Sequence, residues 1–149
     1  MKPLELLKSA HAKIRSSENW TNEGSATNRE GKLCNPWDKE AVRYSSNGAL
    51  YYIVYHDVDD LPETDSNIKL IDQAERYLYE ATPKERPIFM SYDAGHTHQE
   101  VMAVWAKAIG LARADEEKDN REHVLFVPIA VLAIVAALLL PTLLWLLIH

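Results

Sequence analysis

The sequence predicts a mainly α chain: about four helices and one small β-hairpin in a head, followed by one C-terminal transmembrane helix. Residues 124–148 read VLFVPIAVLAIVAALLLPTLLWLLI, with no charged residue. A helix rises about 1.5 Å per residue, so such a run slightly exceeds what a hydrocarbon layer of about 30 Å requires. Ahead of it, apolar residues recur at spacings of three and four, the period of one helix face. Early in the chain, Asn28-Arg29-Glu30-Gly31 separates two short runs with the chemistry of a hairpin turn. The expected organisation is therefore a head over residues 1–113, a charged juxtamembrane helix or linker over 114–123, and an anchor over 124–148.

The anchor is argued from its borders as well as its length. A buried globular helix also gives an apolar run, but the all-round apolarity and the abrupt charged edge favour the membrane. Phe126 and Trp145 stand near opposite ends, where bulky rings favour the interface. Pro128 falls in the first turn, whereas Pro141 removes an interior hydrogen bond and is expected to bend the helix. Ala130, Ala133 and Ala137 share one face, where small side chains let a second helix approach. The run contains no ionisable residue, so it offers no proton or ion relay. Arg113, Lys118 and Arg121 precede it and only a histidine follows, which places the head on the cytoplasmic side and the far end across the bilayer. The opening MKPLELLKSAHAKIR has neither a continuous apolar core nor a small-residue cleavage pattern, hence no secretory signal.

The formal charge of −6 belongs to the head, which makes it a poor fit for nucleic acid or anionic lipid headgroups and leaves a basic partner open. The single cysteine, Cys34, allows no internal disulfide and reads as a small half-buried residue rather than a nucleophile. Asn19-Trp20-Thr21 is formally a glycosylation acceptor, relevant only to an exported head.

Along the head, Leu4, Leu7, His11 and Ile14 form an apolar stripe on a helix from Pro3 to about Ser17, with Pro3 near its start. The hairpin follows, bracketed by Trp20 and Trp37, which are expected to cover the core edge. A second helix is expected from Asp38 as N-cap, with Glu40 in its first turn. Ala41, Ser45, Gly48, Ala49, Tyr52 and His56 lie along it at helical period, and Gly48 in its interior implies a tight contact. A strand over Leu50–Tyr55 is the rival assignment, given its aromatic and β-branched density.

Asp57, Asp59, Asp60, Glu63 and Asp65 make an acidic loop that lacks the glycine and terminal glutamate of a calcium loop. A third helix spans about Asn67–Ala81, with Ile68, Ile71, Ala74 and Leu78 inward and Tyr77 and Tyr79 beside them. After the short apolar segment Pro87–Met90, Thr97 and Glu100 form a capping box, with Gly95 allowing a tight approach. The helix it opens places Val101, Val104, Trp105, Ala108, Ile109 and Ala112 on one face.

Two segments carry a resemblance. Ala41-Val42-Arg43-Tyr44-Ser45-Ser46-Asn47-Gly48-Ala49-Leu50 is similar to A-V-R-W-C-x-x-G-A-L, and Tyr92-Asp93, Thr97-His98-Gln99-Glu100-Val101 and Ala108-Ile109 are similar to a late W/Y-N-D…T-x-x-E-V…A-I segment. Over about Leu4–Arg113 the head resembles a family of small uncharacterised domains from bacterial and phage genomes, in which these motifs occur. Ser45 stands where that family has cysteine, Tyr44 where it has tryptophan, and Tyr92 where it has asparagine. The resemblance implies a fold and a microbial or phage origin, without an activity.

Functionally, the sequence points to a single-pass, tail-anchored accessory or scaffolding subunit of a larger membrane complex. Its expected partners are the lipid bilayer and other integral membrane subunits, and no cofactor is implied. No catalytic constellation stands out, while the head is rich in tyrosine and tryptophan, which are favoured at interfaces. The alternatives are a membrane-tethered enzymatic or metal-binding module using Asp93, His96 and His98 with His56, and a phage-encoded factor acting on the host membrane. A capping role for the segment around Asp93–His98 competes with the metal site.

Overall fold

The structure is a computed structural model, and it describes residues 1–56, 65–83 and 92–122. Two compact units divide the chain, Met1–Arg113 and Ala114–His149. In the second, residues 114–122 are helical. The expected anchor over 124–148, with Ala130, Ala133, Ala137, Phe126, Trp145 and both of its prolines, lies outside the described residues. So do most of the acidic loop and the segment Pro87–Met90. Among the described residues no helix is long and apolar enough to cross a membrane.

The first unit is mainly helical, with four helices and a small three-stranded sheet among the described residues. Helix α1 (Pro3–Ile14) begins where Pro3 fixes the first turn and the Glu5 carboxylate accepts the Lys2 backbone N–H at 3.0 Å. Its buried stripe is broader than the sequence suggested, taking in Leu4, Leu6, Leu7, Ala10 and Ile14. Strands β1 (Ala26–Thr27) and β2 (Leu33–Cys34) form the expected hairpin. Its turn closes on the Asn28 side-chain oxygen, which accepts from the backbones of Glu30 and Lys32, and Gly31 takes the positive φ of 79° that only glycine adopts readily.

The second helix departs from expectation. Asp38 caps nothing: its carboxylate accepts the Asn35 backbone N–H at 2.8 Å within a tight turn. Arg43–Tyr44 form strand β3, antiparallel to β1, which gives the order β2-β1-β3. The backbone from 42 to 45 is committed to the sheet and its margin, with Val42 N–H donating to Thr27 O and Ser45 N–H to Ser25 O, both at 3.0 Å. Helix α2 (Ser46–Tyr55) therefore starts at Ser45, whose hydroxyl caps the Gly48 N–H at 3.1 Å. The strand assignment for Leu50–Tyr55 does not hold. Gly48 meets the tight contact its position implied, for a Cβ there would lie 1.7 Å from the Ser25 carbonyl oxygen.

Helix α3 (Asp65–Ala81) buries Ile71, Ala74, Tyr77, Leu78 and Ala81. Ile68, expected inward, is 40% exposed because it precedes the part of α3 that meets the core. Helix α4, residues 98–113 within this unit, opens at the Thr97–Glu100 capping box, with Thr97 N–H donating to Glu100 Oε2 at 2.8 Å. Gly95 makes no close approach, since a Cβ there would meet nothing within 4 Å. Val101, Val104, Trp105, Ala108 and Ala112 join the core between the helices.

Candidate functional site

The loop before α4 delivers Asp93 into the interior rather than to a surface site. Asp93 sits in a 3₁₀ turn, Asp93–Gly95, and is 5% exposed. Its carboxylate accepts both the backbone N–H of Ser46, the first residue of α2, and the Ser46 hydroxyl at 2.9 Å. That hydroxyl in turn accepts the Trp105 indole N–H at 2.9 Å. A carboxylate at a helix N-terminus satisfies an orphan donor and meets the positive end of the dipole, so Asp93 pins α2 and α4 together. The Trp20 N–H is buried and turned toward the same carboxylate without a hydrogen bond of normal geometry. Burial pushes the Asp93 carboxyl above its ordinary value, against the Ser46 hydrogen bonds that pull it down.

The three histidines of the candidate metal set go elsewhere. His96 stacks on Tyr92, centroids 3.7 Å apart, and its Nδ1 meets the Tyr92 carbonyl at 2.5 Å. His98 Nε2 bonds the Ile14 carbonyl at 2.8 Å, tying α4 to the end of α1. His56 follows α2 and packs on Tyr52, centroids 4.2 Å apart. Among the described residues no three His, Cys, Asp or Glu side chains form a metal-binding group. His11, on the apolar stripe, packs near Trp105, and its pKa is lowered first by burial and then by Arg15 and His98. The sequence named Asp93 but missed its partners, because nothing in a pattern of spacings links Asp93 to a serine 47 positions away.

The accessible surface of interest lies on β2, the turn after it and α2. Leu33 is 68% exposed and Trp37 48% exposed. Trp37 was expected to cover the core edge; instead Asn35-Pro36-Trp37-Asp38 turns outward, and only Trp20 packs against the core. Trp37 meets Tyr55 edge-on at 6.1 Å, and Tyr55 stacks with Tyr51 at 5.9 Å. A cleft of about 320 Å³ runs beside them, lined by Leu33, Cys34, Pro36, Trp37, Asn47 and Tyr51. The Cys34 thiol within it has its pKa raised by burial, then by Glu40 and Asp38, so it is a poor nucleophile. Period-two alternation was the available signal: Cys34 faces inward on β2 and Leu33 outward.

The sequence profile of DUF6197, a family of unknown function, matches residues 1–111. The chain belongs to this family. No curated protein and no solved structure matches it. The DUF6197 match spans almost the whole first unit, including the Asp93–Ser46–Trp105 pin and the aromatic face, so both are features of the domain itself.

Proposed function

We propose that this chain is a membrane-tethered accessory subunit whose DUF6197 domain docks onto other integral membrane proteins through the face around Leu33, Trp37 and Tyr51. The observation that carries it is the solvent exposure of Leu33 and Trp37 beside an aromatic cleft. Large apolar side chains grouped on a surface mark an interaction site more often than chance, and tryptophan and tyrosine dominate interface energetics. The uncharged run 124–148 supplies the tether, and the basic residues Arg113, Lys118 and Arg121 ahead of it favour a cytoplasmic domain. A net charge of −6 argues against nucleic acid as the partner.

Extraction from native membranes in a gentle detergent tests this. The wild-type chain is expected to migrate in an assembly larger than its monomer, and Leu33→Asp with Trp37→Ala is expected to release it as a monomer. A wild-type monomer, under conditions that preserve known membrane complexes, would contradict the proposal.

A further inference from the structure

A second cleft, of about 520 Å³, is lined by Trp20, Thr27, Arg43, His98 and the carboxylate residues Glu18 and Glu23. Thr27 and Arg43 are directly opposed across β1 and β3, so their side chains stand on one face of the sheet. Trp20 and His98 form a wall, with ring centroids 5.5 Å apart, and the bond from His98 to Ile14 fixes that wall in place.

Among the described residues, two buried side-chain polar atoms lack a hydrogen-bond partner, Trp20 Nε1 and Thr27 Oγ1. Both residues line this cleft. The Trp20 N–H faces the Asp93 carboxylate outside normal hydrogen-bond geometry. The Thr27 hydroxyl has no partner among the described residues, although Thr27 is only 2% exposed. Burying a hydroxyl without a partner is unfavourable, and such groups are rare enough to require a reason. Around it, Arg43, Glu18 and Glu23 make no ion pair among the described residues. One cation and two carboxylates without ion-pair partners among the described residues, beside two aromatic rings inclined at 53° to one another, are complementary to a small dipolar ion with an apolar side chain.

We propose that this cleft binds a free α-amino acid as its zwitterion. The ligand carboxylate takes the Arg43 guanidinium and the Thr27 hydroxyl, its ammonium takes the Glu18 and Glu23 carboxylates, and its side chain lies on Trp20 and His98. Thr27 Oγ1 is buried in the ligand-free protein, so binding includes a local side-chain rearrangement that exposes it. This site is independent of the docking face, since no residue lines both clefts.

Titration calorimetry on the full chain in detergent micelles tests the assignment, with L-phenylalanine, N-acetyl-L-phenylalanine and L-phenylalaninamide as probes. The free amino acid is expected to bind with Kd below about 1 mM, and removing either ligand charge is expected to weaken it about tenfold or more. Arg43→Gln should abolish binding. Thr27→Val should weaken it about tenfold while leaving the melting temperature of the ligand-free protein unchanged or raised, because it removes an unsatisfied hydroxyl. Absence of binding, equal binding of the acetylated probe, or unchanged affinity in Thr27→Val would overturn the proposal. So would a lower melting temperature in Thr27→Val, which would mean the hydroxyl is already satisfied.

Discussion

Truncating Asp93 to alanine should weaken the DUF6197 domain by far more than replacing it with asparagine. Alanine leaves the Ser46 N–H, in a residue 1% exposed, without its acceptor, and strips the Ser46 hydroxyl of its own. An orphaned buried donor costs about 1–3 kcal/mol, and relief from burying the carboxylate offsets part of the total, leaving a loss of about 2–4 kcal/mol. Asparagine keeps a carbonyl oxygen for the Ser46 N–H, and its amide can donate to Ser46 Oγ, so its effect should stay within about 1 kcal/mol. For a domain of ordinary stability, about 5–15 kcal/mol, the alanine loss is large. Urea unfolding of residues 1–113, followed by tryptophan fluorescence, should show an alanine midpoint lower by about 1–3 M. The pH dependence adds a second signature. Because burial raises the Asp93 pKa, its contribution to stability is fully present below the ordinary carboxyl range and is lost as pH rises through the raised value. The asparagine variant does not titrate, so its stability relative to wild type should improve from acid to neutral pH. Equal midpoints for the two variants would refute the role of Asp93 as a pin.

Two glycines should respond in opposite directions to alanine. At Gly48 the added Cβ would meet the Ser25 carbonyl oxygen at 1.7 Å, displacing the backbone that receives the Ser45 N–H and hydroxyl. The loss should be about 2 kcal/mol or more in spite of better helix propensity. At Gly110 nothing lies within 4 Å, and alanine should stabilise by up to about 1 kcal/mol; both are read by urea unfolding. Cys34 should react with iodoacetamide at neutral pH more slowly than free cysteine, and Asp38→Asn with Glu40→Gln should accelerate it, as followed by mass spectrometry.

How far the sequence disclosed this structure depended on the range of the interactions involved. Helices α1, α3 and α4 were legible because periodic apolar residues and local caps such as Thr97 with Glu100 act within a few positions. The hairpin was legible from Asn28 and Gly31, whose turn chemistry is equally local. Strand β3 was not, because a two-residue strand has no period and its pairing with Ala26–Thr27 joins distant positions. That omission moved the expected helix start from Ser45 to Asp38, a residue with the composition of an N-cap but a nearer use for its carboxylate. Of the site residues, Asp93 entered only as a member of the alternative metal set, weighed against a capping role for its segment, while the Ser46 and Trp105 contacts that define it are tertiary. The exposure of Trp37 was likewise invisible, since burial of a tryptophan in a turn is set by which way the loop leaves the sheet.

Whether this chain acts at a membrane is tested most directly by alkaline carbonate washing of membranes from cells that make the untagged full-length protein. An uncharged run of the length of residues 124–148 should hold the protein in the pellet with the integral proteins. Recovery in the wash supernatant, alongside peripheral proteins, would contradict the account.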